Sequence, residues 1–149
     1  MAIADKNHAY RLSSTDAAKE YFIHLYMDRN DKERVFVAYL DSQCRVIATK
    51  EMSNGDVNGA VMPAREIARE ALFHNAVSII VAHNHPSGNL KASPVDLEST
   101  ERLTQAMKTV GVNLVDHIIV AGNHAISLAN MGHIPSLGAS PMGMTASPA

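Results

Sequence analysis

Apolar residues recur along this chain with two different periods, one typical of helices and one typical of strands. Helices are predicted at residues 15–27, 63–75 and 94–110. Shorter β-branched or apolar runs predict strands at residues 35–40, 46–49, 76–82, 112–120 and 124–128. The order of these elements is helix, hairpin, helix, strand, helix, strand, strand. It predicts an α/β fold in which helices pack on a mixed sheet.

Two of the predicted helices show an apolar face. In the first helix, capped by Ser13, Ser14 or Thr15, this face is made of Ala17, Ala18, Tyr21, Phe22, Leu25 and Tyr26. In the second helix it is made of Ile67, Ala68, Ala71 and Leu72. We interpret the aromatic stripe of the first helix as core and not as a surface for stacking nucleic-acid bases.

The remaining segments are more polar or lack periodicity. Residues 1–12 are expected to form a flexible N-terminus, followed by a folded domain over residues 13–131. Residues 132–149 are rich in Gly, Pro, Ser, Ala and Met and predict a disordered tail. The polar loop at residues 53–59 is a plausible rim for a site.

Composition limits the classes of function. The chain has 149 residues, of which 46% are hydrophobic and 19% charged, as expected of one globular domain. A net charge of −2 argues against a broad nucleic-acid-binding surface, although a local basic patch stays open. One cysteine, Cys44, excludes an intrachain disulfide and a cysteine-based zinc cluster. With neither a signal peptide nor a membrane-length apolar run, we expect a cytoplasmic protein without membrane contact.

Residues 83–96, HNHPSGNLKASPVD, carry the strongest chemical signal. If the preceding strand continues to its end, His83 and His85 project from the same face, because strand side chains alternate. The turn formers that follow end the strand. Ser93 then caps a helix that starts at Pro94, and Asp96 lies in its first turn.

This pattern suits a metal ion. Catalytic zinc typically takes three protein ligands and leaves a fourth position for water, and His83, His85 and Asp96 could supply those ligands. The alternative reading of the Ser-x-x-Asp segment is an ordinary helix-capping signal. Two histidines at the end of a buried strand are harder to explain structurally, and they favour the metal site.

The same residues resemble a known motif. His-x-His, seven residues and then Ser-x-x-Asp is similar to the JAMM motif of JAB/MPN metalloprotease-like domains. The segments at 81–88 (VAHNHPSG) and 116–120 (DHIIV) resemble the RadC family, whose historical label is DNA repair. The resemblance implies a three-layer, cytidine-deaminase-like fold and a Zn(2+)-dependent hydrolase acting on a peptide or isopeptide.

Two local departures from RadC-like sequences affect none of the proposed ligands. Ala92 replaces the usual proline before Ser93, and the segment PARE at 63–66 has its proline one place early. Full-length relatives also carry an N-terminal helix-hairpin-helix region, which we do not expect here, so the chain's own residues give the DNA-repair label no support.

Hydrolysis also needs a general base, since Asp96 is used for the metal. Glu33, immediately before the first hairpin, is the best candidate, and the resemblance favours it. Glu66 and Glu70 are the competitors, whereas Glu98 and Glu101 are expected on a solvated helix face. In the family, the serine at position 93 is assigned to holding the water or the developing oxyanion.

Two further questions stay open at this point. Asp116 and His117 are read first as a buried structural pair, and alternatively as groups that orient a metal-bound histidine. A non-catalytic metal-binding scaffold, or a DNA-associated accessory protein, is the alternative to the hydrolase. Base deamination is excluded because its zinc motif needs more cysteines than this chain has.

Overall fold

A computed structural model describes residues 10–53 and 62–134 of the chain. Within these ranges it contains the following helices and strands: α1 (Thr15–Tyr26), β1 (Val35–Leu40), β2 (Val46–Glu51), α2 (Ala64–Phe73), β3 (Ser78–Asn84), α3 (Pro94–Thr109), β4 (Asn113–Ala121) and β5 (His124–Ser127). Their order is the predicted one. The N-cap of α1 is Ser14, whose side chain accepts a hydrogen bond from the amide of Ala17.

The strands form one mixed sheet in the order β2-β1-β3-β4-β5. β3 and β4 are parallel and joined by α3, whereas the other neighbouring pairs are antiparallel. A parallel pair needs a crossover, and the helix predicted at 94–110 provides it. The carboxyl end of β3 therefore faces the start of α3, the arrangement in which open α/β sheets place their sites.

Helices cover both faces of the sheet and make three layers. On one face, α1 packs through Tyr21, Phe22 and Leu25 against alternate residues of the central strands. On the other face, α2 and α3 pack through Ile67 and Leu103. All residues of β1 and β3 are buried, as expected for central strands covered on both sides. The α/β fold predicted from the sequence is confirmed.

Some predicted details were wrong. β3 continues through His83 and Asn84, two residues beyond its predicted end. Leu72 was assigned to the buried face of α2 but is 55% exposed, because this short helix buries only its Ile67 and Ala71 side. The apolar pattern predicted a wider buried face on α2 than the one formed by Ile67 and Ala71.

Two residues just outside the predicted domain bounds are buried. Leu12 is 4% exposed and Ile134 is 3% exposed, and Ile134 belongs to the core beneath α2 and α3. Leu12 and Ile134, on either side of the predicted 13–131 domain, therefore pack in its core, whereas Gly132 and His133 are exposed. Residues 1–9, 54–61 and 135–149 lie outside the described ranges, and so do most of the expected rim loop and of the tail. Among the described residues, no helix is long and apolar enough to cross a membrane.

Candidate metal centre

His83 and His85 meet at the carboxyl end of β3. Their Nε2 atoms lie 3.0 Å apart, and the strand's alternation places both rings on the α2/α3 side of the sheet. The His83 side chain is 1% exposed and that of His85 is 16% exposed. The His83 ring is thus buried in the core, whereas the His85 ring is partly accessible to solvent.

The start of α3 brings Asp96 to the same point. Its Oδ1 lies 3.3 Å from Nε2 of His83 and its Oδ2 lies 3.5 Å from Nε2 of His85. Ser93 and Asp96 form a reciprocal capping box, in which the amide of each residue donates to the side chain of the other. The capping and the metal interpretation of this segment are therefore compatible, because capping fixes the carboxylate that faces the histidines.

The carboxyl group of Asp96 is held in its ionised form. Burial acts to raise its pKa, but the adjacent His83 and the hydrogen bonds from Ser93 outweigh burial, so the pKa of Asp96 lies well below its usual range. The side chain is only 3% exposed. A buried carboxylate beside two imidazole nitrogens is a favourable place for a cation.

Glu33 is the second carboxylate at the centre. One oxygen of Glu33 lies 4.0 Å from Nε2 of His83, and the side chain is 30% exposed. Glu33, His83 and His85 each offer a ligand atom, and these atoms lie within 4.8 Å of one another. The adjacent strands β1 and β3 cause this approach, because Val35 pairs with His83.

Asn84 holds the segment that carries Glu33. Its Oδ1 accepts a hydrogen bond of 2.7 Å from the amide of Arg34, and its Nδ2 donates one of 3.0 Å to the carbonyl of Lys32. The hydroxyl of Tyr26 also donates to the carbonyl of Arg34, at 2.7 Å. These contacts of Asn84 were missed from the sequence.

The donor set fits a divalent transition metal such as zinc. Nδ1 of His85 lies 2.6 Å from the carbonyl oxygen of Asn89, which can only accept, so the ring carries its proton on Nδ1. Its Nε2 therefore presents a lone pair. Imidazole nitrogen and carboxylate oxygen are the zinc ligands expected without cysteine, and the second ring nitrogen of such a histidine commonly donates to a carbonyl.

Behind the histidines lies a buried polar chain. Nδ1 of His83 is 2.7 Å from Nε2 of His117, and Nδ1 of His117 is 2.6 Å from the hydroxyl of Thr100. Burial, followed by the nearby His83, lowers the pKa of His117 well below its usual range and keeps the ring neutral. Thr100 was missed from the sequence, although its position one helical turn after Asp96 places the two on the same face of α3.

The side chains of Asp116 and His117 have different partners, although the backbone amide of His117 donates to the carboxylate of Asp116 at 2.7 Å. The carboxylate of Asp116 accepts hydrogen bonds from the Ser127 hydroxyl at 2.5 Å and the Ala129 amide at 3.0 Å. His117 instead contacts His83. Burial raises the pKa of Asp116 despite these bonds. Asp116 thus has the structural position that was read first, whereas His117 has the orienting position that was the alternative.

The competing carboxylates have other contacts. Glu66 accepts hydrogen bonds from the amide and the hydroxyl of Ser53. Glu70 lies 3.4 Å from His74. Glu98 is exposed and pairs with Arg102 at 3.5 Å, and Glu101 is also exposed. The expectation of a solvated face for Glu98 and Glu101 is confirmed.

Comparison with known proteins identifies the family. The model of the RadC-like JAB domain matches residues 12–133. The chain belongs to the RadC-like JAB domain family. The match spans the sheet, the three helices and the candidate metal centre. The family predicted from the histidine motif of this RadC-like JAB domain is therefore confirmed.

Several relatives are named as UPF0758 proteins. The one named YeeS in Escherichia coli (strain K12) is 41% identical over 80% of this chain and 80% of its own length. One in Xanthomonas campestris pv. campestris (strain 8004) is 38% identical over 89% of this RadC-like chain and 59% of its own length. One in Cupriavidus pinatubonensis is 46% identical over 68% of this chain and 45% of its own length. The chain thus matches about half of the length of several curated relatives.

Proposed function

We propose that this RadC-like JAB domain is a zinc-dependent hydrolase of peptide or isopeptide bonds. The observation that carries the proposal is the convergence of Nε2 of His83, Nε2 of His85 and the buried carboxylate of Asp96, with Glu33 beside them. Metal-assisted hydrolysis of an amide bond needs about this set of groups, namely three metal ligands and a separate acid–base group.

The ligand roles follow from burial and distance. His83, His85 and Asp96 would hold the zinc, because Asp96 is the carboxylate nearest to both rings and is almost fully buried. When bound, zinc would lower the pKa of a coordinated water toward about 7. Glu33 is farther from His83 and more exposed, so its carboxylate is free to exchange protons with a substrate.

The chain's own groups account for the proton movements. Glu33 takes the proton of the attacking water on a carboxylate oxygen and delivers it to the leaving nitrogen, since one carboxylate can serve as base and then as acid. The Ser93 hydroxyl oxygen accepts from the Asp96 amide, which leaves the hydroxyl proton available to donate. That proton would stabilise the negative charge that develops on the substrate's carbonyl oxygen.

The substrate class rests on charge and chemistry. The net charge of −2 favours a peptide or isopeptide over a nucleic acid, since phosphodiester binding normally needs basic groups. Activated water can attack either kind of bond, so oligonucleotides belong in the screen. A scaffold without turnover is the remaining outcome.

The first test measures metal. Purified protein is expected to hold close to one zinc per chain, by elemental analysis. His83→Ala, His85→Ala and Asp96→Ala should each lower that content sharply, whereas His124→Ala, at an exposed position, should retain it. Full zinc retention in all three ligand variants would refute the site.

The second test separates catalyst from scaffold. Glu33→Gln keeps the shape of the side chain but cannot accept the proton, so it should bind zinc normally and hydrolyse peptides about 10²–10⁴-fold more slowly. Glu98→Gln is the matched control on the exposed face of α3. Loss of zinc in Glu33→Gln would make Glu33 a ligand. Normal hydrolysis would exclude it as the base. A zinc-loaded parent that cleaves neither peptides nor oligonucleotides would be a scaffold.

A further inference from the structure

A small cavity lies next to the candidate metal centre, at the edge of the sheet where β3 and β4 end. Its volume is about 200 Å³, below the roughly 300–1,000 Å³ of pockets that hold drug-sized ligands. The cavity therefore has room for a single side chain. His85, one of the proposed metal ligands, is part of its wall, so a group bound in the cavity would be adjacent to the centre.

Three asparagines from separate parts of the chain line this cavity. Asn84 ends β3, Asn123 lies in the two-residue turn between β4 and β5, and Asn30 follows the end of α1. They meet because Asn84 pairs with Val120 near the end of β4 and because α1 covers this face of the sheet. Only the packing of these elements brings the three amides together.

The hydrogen-bonding capacity of these amides is partly unused. An asparagine side chain is donor and acceptor at once. Asn84 spends one site on its oxygen and one on its nitrogen to hold the segment that carries Glu33. Asn30 and Asn123 are exposed, and within the described residues their side chains have no hydrogen-bond partner, so both can bind a ligand. A ligand group with both a donor and an acceptor is the natural complement of this set.

The described side chains that line the cavity carry no charge, apart from the titratable ring of His85. A carboxylate or an ammonium group would lose water here without gaining a partner of opposite charge. The carboxyl end of α1, which could attract a cation, is already bound by Arg29. The Arg29 amide donates to the carbonyl of Tyr26, and its guanidinium donates to the carbonyl of Leu25, both at 3.0 Å. The cavity therefore favours a neutral group.

We propose that this cavity is a substrate subsite for an uncharged carboxamide side chain, that of glutamine or asparagine, close to the bond that is cut. A primary amide matches the three asparagines as donor and acceptor, and its methylene groups fit the apolar wall of Met27 and Val120. Asn30 and Asn123 are then specificity-determining residues. The inference rests on the proposed function only in assigning the bound group to a substrate, since binding itself needs neither zinc nor turnover.

Blocked amino acids test the subsite directly. N-acetyl-glutamine methylamide is titrated into the isotope-labelled full chain, and the amide NMR signals of Gly88, Gly122 and Asn123, which line the cavity, are followed. These signals should shift in a saturable way. The glutamine probe should bind about 2- to 10-fold more tightly than its glutamate, lysine and methionine counterparts, as expected from one hydrogen bond.

Two variants assign the preference to the asparagines. Asn30→Leu and Asn123→Leu keep much of the side-chain size and remove the amide, so each should weaken binding of the glutamine probe by about 2- to 10-fold. Asn130→Leu, at an exposed position outside the cavity, is the matched control and should bind the probe like the parent. All three positions are exposed, so the variants are expected to fold.

Three results would overturn the proposal. The glutamine probe could cause no saturable shift of these signals in the parent. Any of the other three probes could bind as tightly as the glutamine probe. Asn30→Leu and Asn123→Leu could both retain the parental affinity.

The two proposals can fail separately. If the glutamine probe binds in the cavity but the protein holds no zinc, the hydrolase is wrong and the carboxamide site stands. If the protein holds zinc and cleaves peptides but the probe leaves these signals unchanged, the hydrolase stands and the subsite is wrong.

Discussion

The side chain of Asn84 holds the backbone on both sides of Glu33. It accepts from the amide of Arg34 and donates to the carbonyl of Lys32, and it is itself 2% exposed. A primary amide suits this position because it is donor and acceptor at once. The residue between the two histidines of the motif thus connects the strand that carries them to the segment that carries the proposed base.

We expect Asn84→Ala to loosen Glu33 without removing the metal ligands. The substitution leaves the Arg34 amide and the Lys32 carbonyl without their partner, which should cost about 1–3 kcal/mol of unfolding free energy. Amide hydrogen exchange at Arg34 should become faster, while zinc content stays at the parental level. Asn113→Ala, at an exposed position on β4, is the control and should change neither quantity. Unchanged exchange at Arg34 would show that Asn84 does not hold this segment.

The stability of the zinc-free protein should depend on pH through His117. Its pKa is lowered by burial, so the folded state resists a proton that the unfolded state accepts below about pH 6.5. Stability from this group is therefore present above that pH and is lost as the pH falls. Between pH 7.5 and 5.5 the loss should be about 1 kcal/mol.

Urea unfolding with a chelator present measures this effect. His117→Gln should show a smaller decrease over the same interval than the parent does. His124→Gln, which changes an exposed histidine, should follow the parent. An equal decrease in all three proteins would assign the pH dependence to other groups.

Ile134 should contribute to stability although it follows the last strand. Its side chain is 3% exposed within the core beneath α2 and α3. Truncation to alanine should therefore cost about 2–4 kcal/mol, because it removes buried methyl groups and leaves a cavity. Met131→Ala, at a position 54% exposed, should stay within about 0.5 kcal/mol of the parent. Thermal unfolding measures both, and equal melting temperatures would place Ile134 outside the core.

The sequence by itself determined the elements and the local half of the candidate metal centre. Strand alternation placed His83 and His85 on one face, and the Ser93–Asp96 capping box fixed the start of α3. These features depend on neighbours a few residues apart, so local periods and capping signals are enough to predict them. The element order, with α3 between β3 and β4, likewise follows from such signals.

Only the tertiary structure shows how the distant residues reach the candidate centre, although the sequence and the resemblance had already favoured Glu33. Glu33 comes from the pairing of β1 with β3, and His117 comes from the parallel pairing of β3 with β4. Strand order and register depend on how helices pack on the two faces of the sheet, and a single strand's pattern does not contain that information. Asn84 and Thr100 were missed for the same reason, because their partners are joined to them through packing and not through nearby sequence.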